Sequence, residues 1–234
     1  MRRREWLMAA SAGLAHGQKK IMMPSDLPDG AGFRTMWYNP VPAIDQTKWR
    51  LEVGGLVEKP RQFTVQQLRS LPQETQSARM KCVQCWSART TWGGFRFGSL
   101  LDLVKPRKTA KAIRIDCADK WYEYMTLTEM TNPRVMMVLD RAGQPLPDKN
   151  GAPLRLLDPS KYGYKSAKLI TKITFVEEGK GSMACDIGPY YSPSGEILAG
   201  YDTPLDLHPE AAKPGWKLES KARRKIRGGE ITEY

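Results

Sequence analysis

Histidine is almost missing from this chain: the two present, His16 and His208, lie toward its ends, far from any cysteine pair. There are only four cysteines, and Cys117 and Cys185 stand isolated, so no set of ligands with structural-zinc spacing can be assembled. The haem-binding string Cys-x-x-Cys-His is absent. No stretch reaches the run of about 18 apolar residues that spans a bilayer, and there is neither an internal repeat nor a low-complexity tract. Acidic residues are in deficit, with 25 Asp and Glu against 37 Lys and Arg, for a formal charge of +12. That excess implies an anionic partner or a basic pocket around an anionic ligand. No nucleic-acid motif accompanies it.

What is present suits a folded globule. At 234 residues and 41% apolar content, the chain fits one domain, or one domain with an appendage, and a sizeable core. Residues 1–15 combine a basic start, a short apolar stretch and small residues, which reads as an export signal. Arg3-Arg4-Glu5-Trp6-Leu7 looks like the twin-arginine version, which carries folded proteins across a membrane. A ligand bound only by the native state must be loaded before such export.

Residues 16–48 are polar and punctuated by proline and glycine, and predict an extended arm whose anchors are Phe33, Met36, Trp37 and Tyr38. Residues 49–178 carry the core pattern. Trp49, Leu51 and Val53 alternate with charged residues as a half-buried strand should. Thr64 with Gln67 predicts a capping box for a short helix that stops before Pro72. Further strands are predicted at Met80 to Val83, Ile113 to Cys117, Trp121 to Leu127, Met136 to Leu139, Ala152 to Leu157 and Leu169 to Val176. Ser99 and Asp102 predict a cap for a helix over Leu100 to Val104. Strands and short helices without a regular βαβ rhythm predict an α+β fold with mixed sheets. Residues 179–234 lose all periodicity and predict an irregular, basic extension that wraps the domain or reaches a partner.

Three segments carry the chemistry: Arg79-Met80-Lys81-Cys82-Val83-Gln84-Cys85-Trp86, Asn150-Gly151-Ala152-Pro153-Leu154-Arg155, and Tyr162-Gly163-Tyr164-Lys165-Ser166-Ala167-Lys168. A thiolate suits soft or redox-active metals, while Arg, Lys, Ser and exposed N–H groups suit phosphate. The pairing points to a metal carried on a phosphorylated organic ligand. Alone, Cys82-x-x-Cys85 would also suit a thioredoxin-type pair or half a zinc site. The βαβ context of the first and the extra ligands of the second are lacking. Lys161 and Lys165 add to the local positive field, and Arg79 and Lys81 would favour an ionised Cys82.

In this order the segments resemble the sulfite oxidase-type molybdopterin-binding family, and more closely its periplasmic methionine sulfoxide reductase branch, from about Trp49 to about Val176. The resemblance implies a Mo-molybdopterin cofactor, with Cys82 as the thiolate on molybdenum and Trp86 following it as in that branch. It implies that Asn150 and Arg155 hold the pterin and its phosphate, and that Ser166, Ala167 and Lys168 form the next binding stretch. Asn39 resembles an asparagine that touches the pterin, although the residues after it run Pro-Val-Pro as in sulfite oxidases. Cys117 stands near a threonine contact of the family, and Tyr122 could stand near substrate as a sulfite oxidase tyrosine does. Cys85 is not required there and reads as a small buried hydrophobe. After Cys82 the chain lacks the Asn-Arg-Arg continuation of many sulfite oxidases, and Arg89 and Arg96 have no assigned role. The resemblance thus implies a periplasmic oxotransferase that reduces a sulfoxide, or a related S- or N-oxide, with electrons from a membrane b-type cytochrome. A sulfite dehydrogenase and a cofactor-binding module without turnover are the alternatives.

Overall fold

A computed structural model describes residues 28–35, 37, 39, 41–82, 86–187 and 191–197, with two short strands near the C-terminus. In chain order the elements are β1 (Leu51–Gly55), β2 (Arg61–Phe63), α1 (Val65–Arg69), β3 (Gln73–Lys81), β4 (Ser87–Phe95), α2 (Gly98–Val104), β5 (Ala112–Cys117), β6 (Tyr122–Thr126) and α3 (Leu127–Met130). They continue with β7 (Met136–Arg141), β8 (Gln144–Pro145), β9 (Arg155–Leu157), β10 (Ile170–Val176), α4 (Met183–Ile187), β11 (Ile226–Arg227) and β12 (Glu230–Ile231). The export signal at 1–15 and the first part of the arm lie outside the described residues, as does Cys85.

Two sheets result, one mixed and one antiparallel, with short helices between strands, so the fold is of the α+β class expected. One sheet runs β2-β1-β10-β5-β6, and its β1–β10 pair is parallel, so the two ends of the core sequence meet. The other runs β3-β4-β7-β8, with β9 also on β7. The larger core joins Leu51, Ile113, Ile173 and Phe175 of the first sheet to Phe95, Met137 and Leu156 of the second. A smaller core on the second sheet's other face holds Ala78, Met80, Trp92, Met136 and Val138. The unbroken apolar run Met136 to Leu139 follows from this position, because β7 is buried on both faces.

The arm closes the smaller core. Phe33 is buried edge-on against Trp92, with ring centroids 5.5 Å apart, and Arg141 lies 4.2 Å over its ring. Asp29 fixes the approach through an ion pair with Arg141 at 2.7 Å. At the other end, residues 182–187 and 191–197 return to the body: Tyr191 is buried, and the N–H of Tyr162 donates to the carbonyl of Gly195 at 2.7 Å. Among the described residues no helix is long and apolar enough to cross a membrane.

Local expectations met different fates. The Thr64–Gln67 capping box is present. The helix expected from a Ser99 cap instead begins at Gly98 after Phe97, with no side-chain cap, because the buried Phe97 ring sets where the turn starts. The strand expected at Met80 to Val83 starts earlier and ends at Lys81, since the polar residues from Gln73 pair along their whole length with β4. Of Ala152 to Leu157 only Arg155–Leu157 forms a strand.

Candidate active site

A cleft of about 860 Å³, counting its open mouth, lies where the β3–β4 hairpin ends, beside the arm and the two later motif segments. Cys82 follows the last residue of β3, and its N–H donates to the Trp86 carbonyl at 2.9 Å, closing the hairpin neck. A parallel bridge from Lys81 to Tyr162 lays the 162–168 segment alongside. The same sheet thus positions Cys82 and the basic wall facing it.

Asn150 ends a 3-10 turn, Asp148–Asn150, and Gly151 leaves it at φ +102. A side chain at Gly151 would meet Lys168 Cβ at 2.6 Å, so glycine is needed both for the turn and for close approach of the two motif segments. The Asn150 Oδ1 accepts from Arg141 at 2.8 Å, which leaves the side-chain N–H groups as its remaining donors. Its backbone carbonyl accepts from Arg155 Nη1 at 2.9 Å.

Arg155 lines the cleft while 96% of its surface is out of water, as its 4% exposure states. Its guanidinium donates to carbonyls of Asn150, Leu156 and Ser166 and touches Met80 Sδ at 3.5 Å; among the described residues no carboxylate pairs with it. Burial, then the charge of Arg141, bring its pKa down to about 9, so it remains a cation at neutral pH. Holding such a charge without a counter-ion costs several kcal/mol, and an anion in the cleft is its natural complement. Lys168 stands beside it, with Nζ 3.5 Å over the Trp37 ring. Burial and Arg155 push the Lys168 ammonium down to about 7, opposed by Asp119, Cys117 and Cys82. Lys168 is thus one cation whose field reaches Cys82. Arg79, expected in that role, sits on the exposed side of β3 opposite Arg89.

Ser166 is buried at the wall; its hydroxyl accepts from the Asp158 N–H at 3.2 Å and keeps its own proton to donate. Ala167 lines the cleft beside it. Aromatic residues complete the enclosure, and among the described residues the buried indole N–H groups of Trp86 and Trp121 have no hydrogen-bond partner. Among the described residues no three His, Cys, Asp or Glu side chains converge as a metal cage. A group bearing an anionic end, polar ring edges and a metal open to one thiolate fits these residues: uncompensated Arg155, orphan indole donors and a single cysteine.

Three expected contacts lie elsewhere. Alternation along β6 turns Glu123 and Met125 inward, so Tyr122 faces out, donating its hydroxyl to Asp186 beneath the Arg114 guanidinium. Burial and then Asp186 raise the Tyr122 phenol to about 12. The Asn39 amide reaches Met183 Sδ at 3.7 Å and does not line the cleft. Cys117 is buried beneath Lys168, where burial and nearby carboxylates push its thiol well up. Lys161 is paired with Glu129 at 2.8 Å and Lys165 with Glu123 at 2.6 Å, so both are committed away from the cleft. Arg96 braces β3 through Glu74, Gln76 and the Val135 carbonyl. Conversely, the sequence reading missed Arg34, Met80, Asp119, Trp121, Lys149 and Tyr164, which line the cleft. Of these, Met80 and Tyr164 lie inside motif segments and so carried a signal.

Comparison with known proteins places these features. The family described as oxidoreductase molybdopterin binding domain matches residues 38–184. A provisionally named protein-methionine-sulfoxide reductase subunit of Azospira oryzae is 38% identical over 127 residues, 54% of this chain and 48% of that protein. The protein-methionine-sulfoxide reductase catalytic subunit MsrP of Ralstonia nicotianae is 35% identical over 146 residues, 56% of this chain and 44% of that protein. The chain thus spans about half the length of the curated relatives it matches. In fold it is similar to the sulfane dehydrogenase SoxCD of Paracoccus pantotrophus, with a TM-score of 0.59 at 20% identity, over 62% of this chain and 42% of that one.

Proposed function

Because this chain belongs to the oxidoreductase molybdopterin-binding domain family, we propose that it is a molybdopterin-dependent oxotransferase that reduces a sulfoxide, methionine sulfoxide-like, to the thioether. The observation that carries this reading is the convergence of Cys82 with the carboxylate-free Arg155 and with Lys168 in one aromatic-walled cleft. When bound, molybdenum on molybdopterin supplies a two-electron oxo exchange, and the overall reaction consumes two electrons and two protons and releases water.

The chain's own residues bind, orient and exclude water. Cys82 is the metal thiolate, fixed by the backbone bond to Trp86. Arg155 is the phosphate anchor, since a planar fork meets two oxygens at once, and Lys168 adds a point charge. Asn150 and Ser166 donate to polar edges from positions set by Arg141 and Asp158. The Trp37, Trp86 and Trp121 rings lower the local dielectric, which strengthens each of these charged contacts.

Electrons would come from a membrane b-type cytochrome, and export by the twin-arginine route would place the protein in the periplasm. Both readings rest on the resemblance, on the relatives named as reductase subunits and on the Arg3-Arg4 start. The test is molybdenum content of protein from a molybdopterin-producing host, followed by turnover with reduced viologen. Sulfoxide-dependent dye oxidation is expected. Acceptor reduction by sulfite without sulfoxide turnover would make it a dehydrogenase; bound molybdenum with neither reaction would make it a non-catalytic module.

A further inference from the structure

We propose that Lys165 is a positioning residue for the cofactor, and that residues 191–197 are a strap through which it fixes the wall from Tyr164 to Lys168. This inference rests on the cofactor reading above. It concerns a side chain that never faces the cleft and a segment beyond the family match at 38–184.

Lys165 sits in the 3-10 turn Gly163–Lys165, where successive side chains point about 120° apart. Its neighbours Tyr164 and Ser166 face the cleft. The Lys165 ammonium points the other way and is 2% exposed, and its three protons go to three acceptors: Glu123 Oε1 at 2.6 Å, the Tyr124 carbonyl at 2.9 Å and the Pro193 carbonyl at 2.9 Å. One residue thereby ties together β6, the cofactor wall and the strap. Glu123 is itself fully buried, and the same Oε1 also accepts from the Tyr124 N–H at 2.9 Å, while its Oε2 has no hydrogen-bond partner among the described residues. Burial raises its carboxyl to about 7 against the pull of Lys165, so this pair is maintained at a desolvation cost.

The strap is shaped for this lysine. Gly195 has φ +65, and a side chain there would collide with Lys165 Cγ and lie 2.9 Å from its Cδ. Beside it, the Tyr164 hydroxyl donates to the Ser192 carbonyl at 2.7 Å, and the Tyr164 and Tyr191 rings meet edge-on at 5.1 Å. Ser166, next in sequence, passes the constraint inward by accepting from Arg155 through its carbonyl at 3.4 Å. Fixing the back of the turn therefore fixes the front.

A buried ion pair can often be exchanged for less polar groups with little change in stability, and this separates positioning from mere support. The measurement is cofactor release from molybdenum-loaded protein on dialysis, beside the thermal midpoint of the apo form, for wild type, the pair variant Lys165→Met with Glu123→Gln, and Gly195→Ala. Gly195→Ala leaves both charges in place and forces the strap and the Lys165 stem apart. Expected are an apo midpoint within about 4 °C of wild type for the pair variant, a lower one for Gly195→Ala because of its positive φ, and cofactor release faster by about 10–100-fold in both variants, the range for a lost outer-shell partner. Unchanged release from either folded variant would overturn the proposal, and failure of both variants to fold would reduce Lys165 to a structural role. Wild-type protein carrying no molybdenum would instead overturn the cofactor reading itself, so the two failures are told apart.

Discussion

Arg155 combines deep burial with the lack of a carboxylate partner among the described residues, and this sets an unusual expectation. Removing an uncompensated interior charge should not cost the empty protein much, whereas it should cost the loaded protein a charge-assisted contact of about 1.5–3 kcal/mol. Arg155→Met is therefore expected to leave the apo thermal midpoint within a few degrees of wild type while cofactor affinity falls at least tenfold. Calorimetry and molybdenum analysis on one preparation check both halves. Gly151→Ala should behave in the opposite sense: φ +102 and the 2.6 Å approach to Lys168 Cβ predict a loss of about 1–3 kcal/mol in stability even without cofactor. At this scale residue chemistry was legible in the sequence and side-chain direction was not. Cys82, Asn150, Arg155, Ser166 and Lys168 do meet in one cleft. Tyr122, Asn39 and Cys117 do not line it, because strand phase and burial decided where they point.

Elements were readable where one periodicity or one cap dominates, as in β1, β5 and the Thr64–Gln67 box. β4 escaped because Arg-Thr-Thr-Trp-Gly-Gly shows no clean alternation; its pairing with β3 and β7 defines it. That pairing sets Arg79 directly against Arg89 on an exposed face. Like charges so placed repel, so Arg89→Glu should raise the thermal midpoint by the equivalent of about 0.2–1 kcal/mol, and added salt should shrink the gain. The arm carries its own pH dependence. Burial raises the Asp29 carboxyl, but the Arg141 side chain and the N–H groups of Phe33 and Ala31 outweigh it and hold the carboxyl below 3.8. A depressed acid adds stability at every pH above its unfolded value and gives it up as pH falls through the folded one. Asp29→Asn should accordingly lower the midpoint at pH 7 and make little difference near pH 2, as melting curves at the two pH values would reveal.

Across the whole molecule, the +12 charge is an asset only in meeting something negative. Arg155 and Lys168 at the cleft account for part of it, and on the proposed function the basic stretch from Lys213 to Arg227 would meet a membrane partner. Electron delivery from membranes should weaken as ionic strength rises past about 0.15 M, where screening reaches within about 8 Å, while turnover with a soluble dye should not. The account as a whole depends on Cys82 being bonded to molybdenum in the cleft that Arg155 and Lys168 line. X-ray absorption at the molybdenum edge addresses this directly, comparing loaded wild type with loaded Cys82→Ser. The account predicts one fewer sulfur around the metal in the variant, together with loss of turnover in protein that stays folded. An unchanged sulfur shell would contradict it.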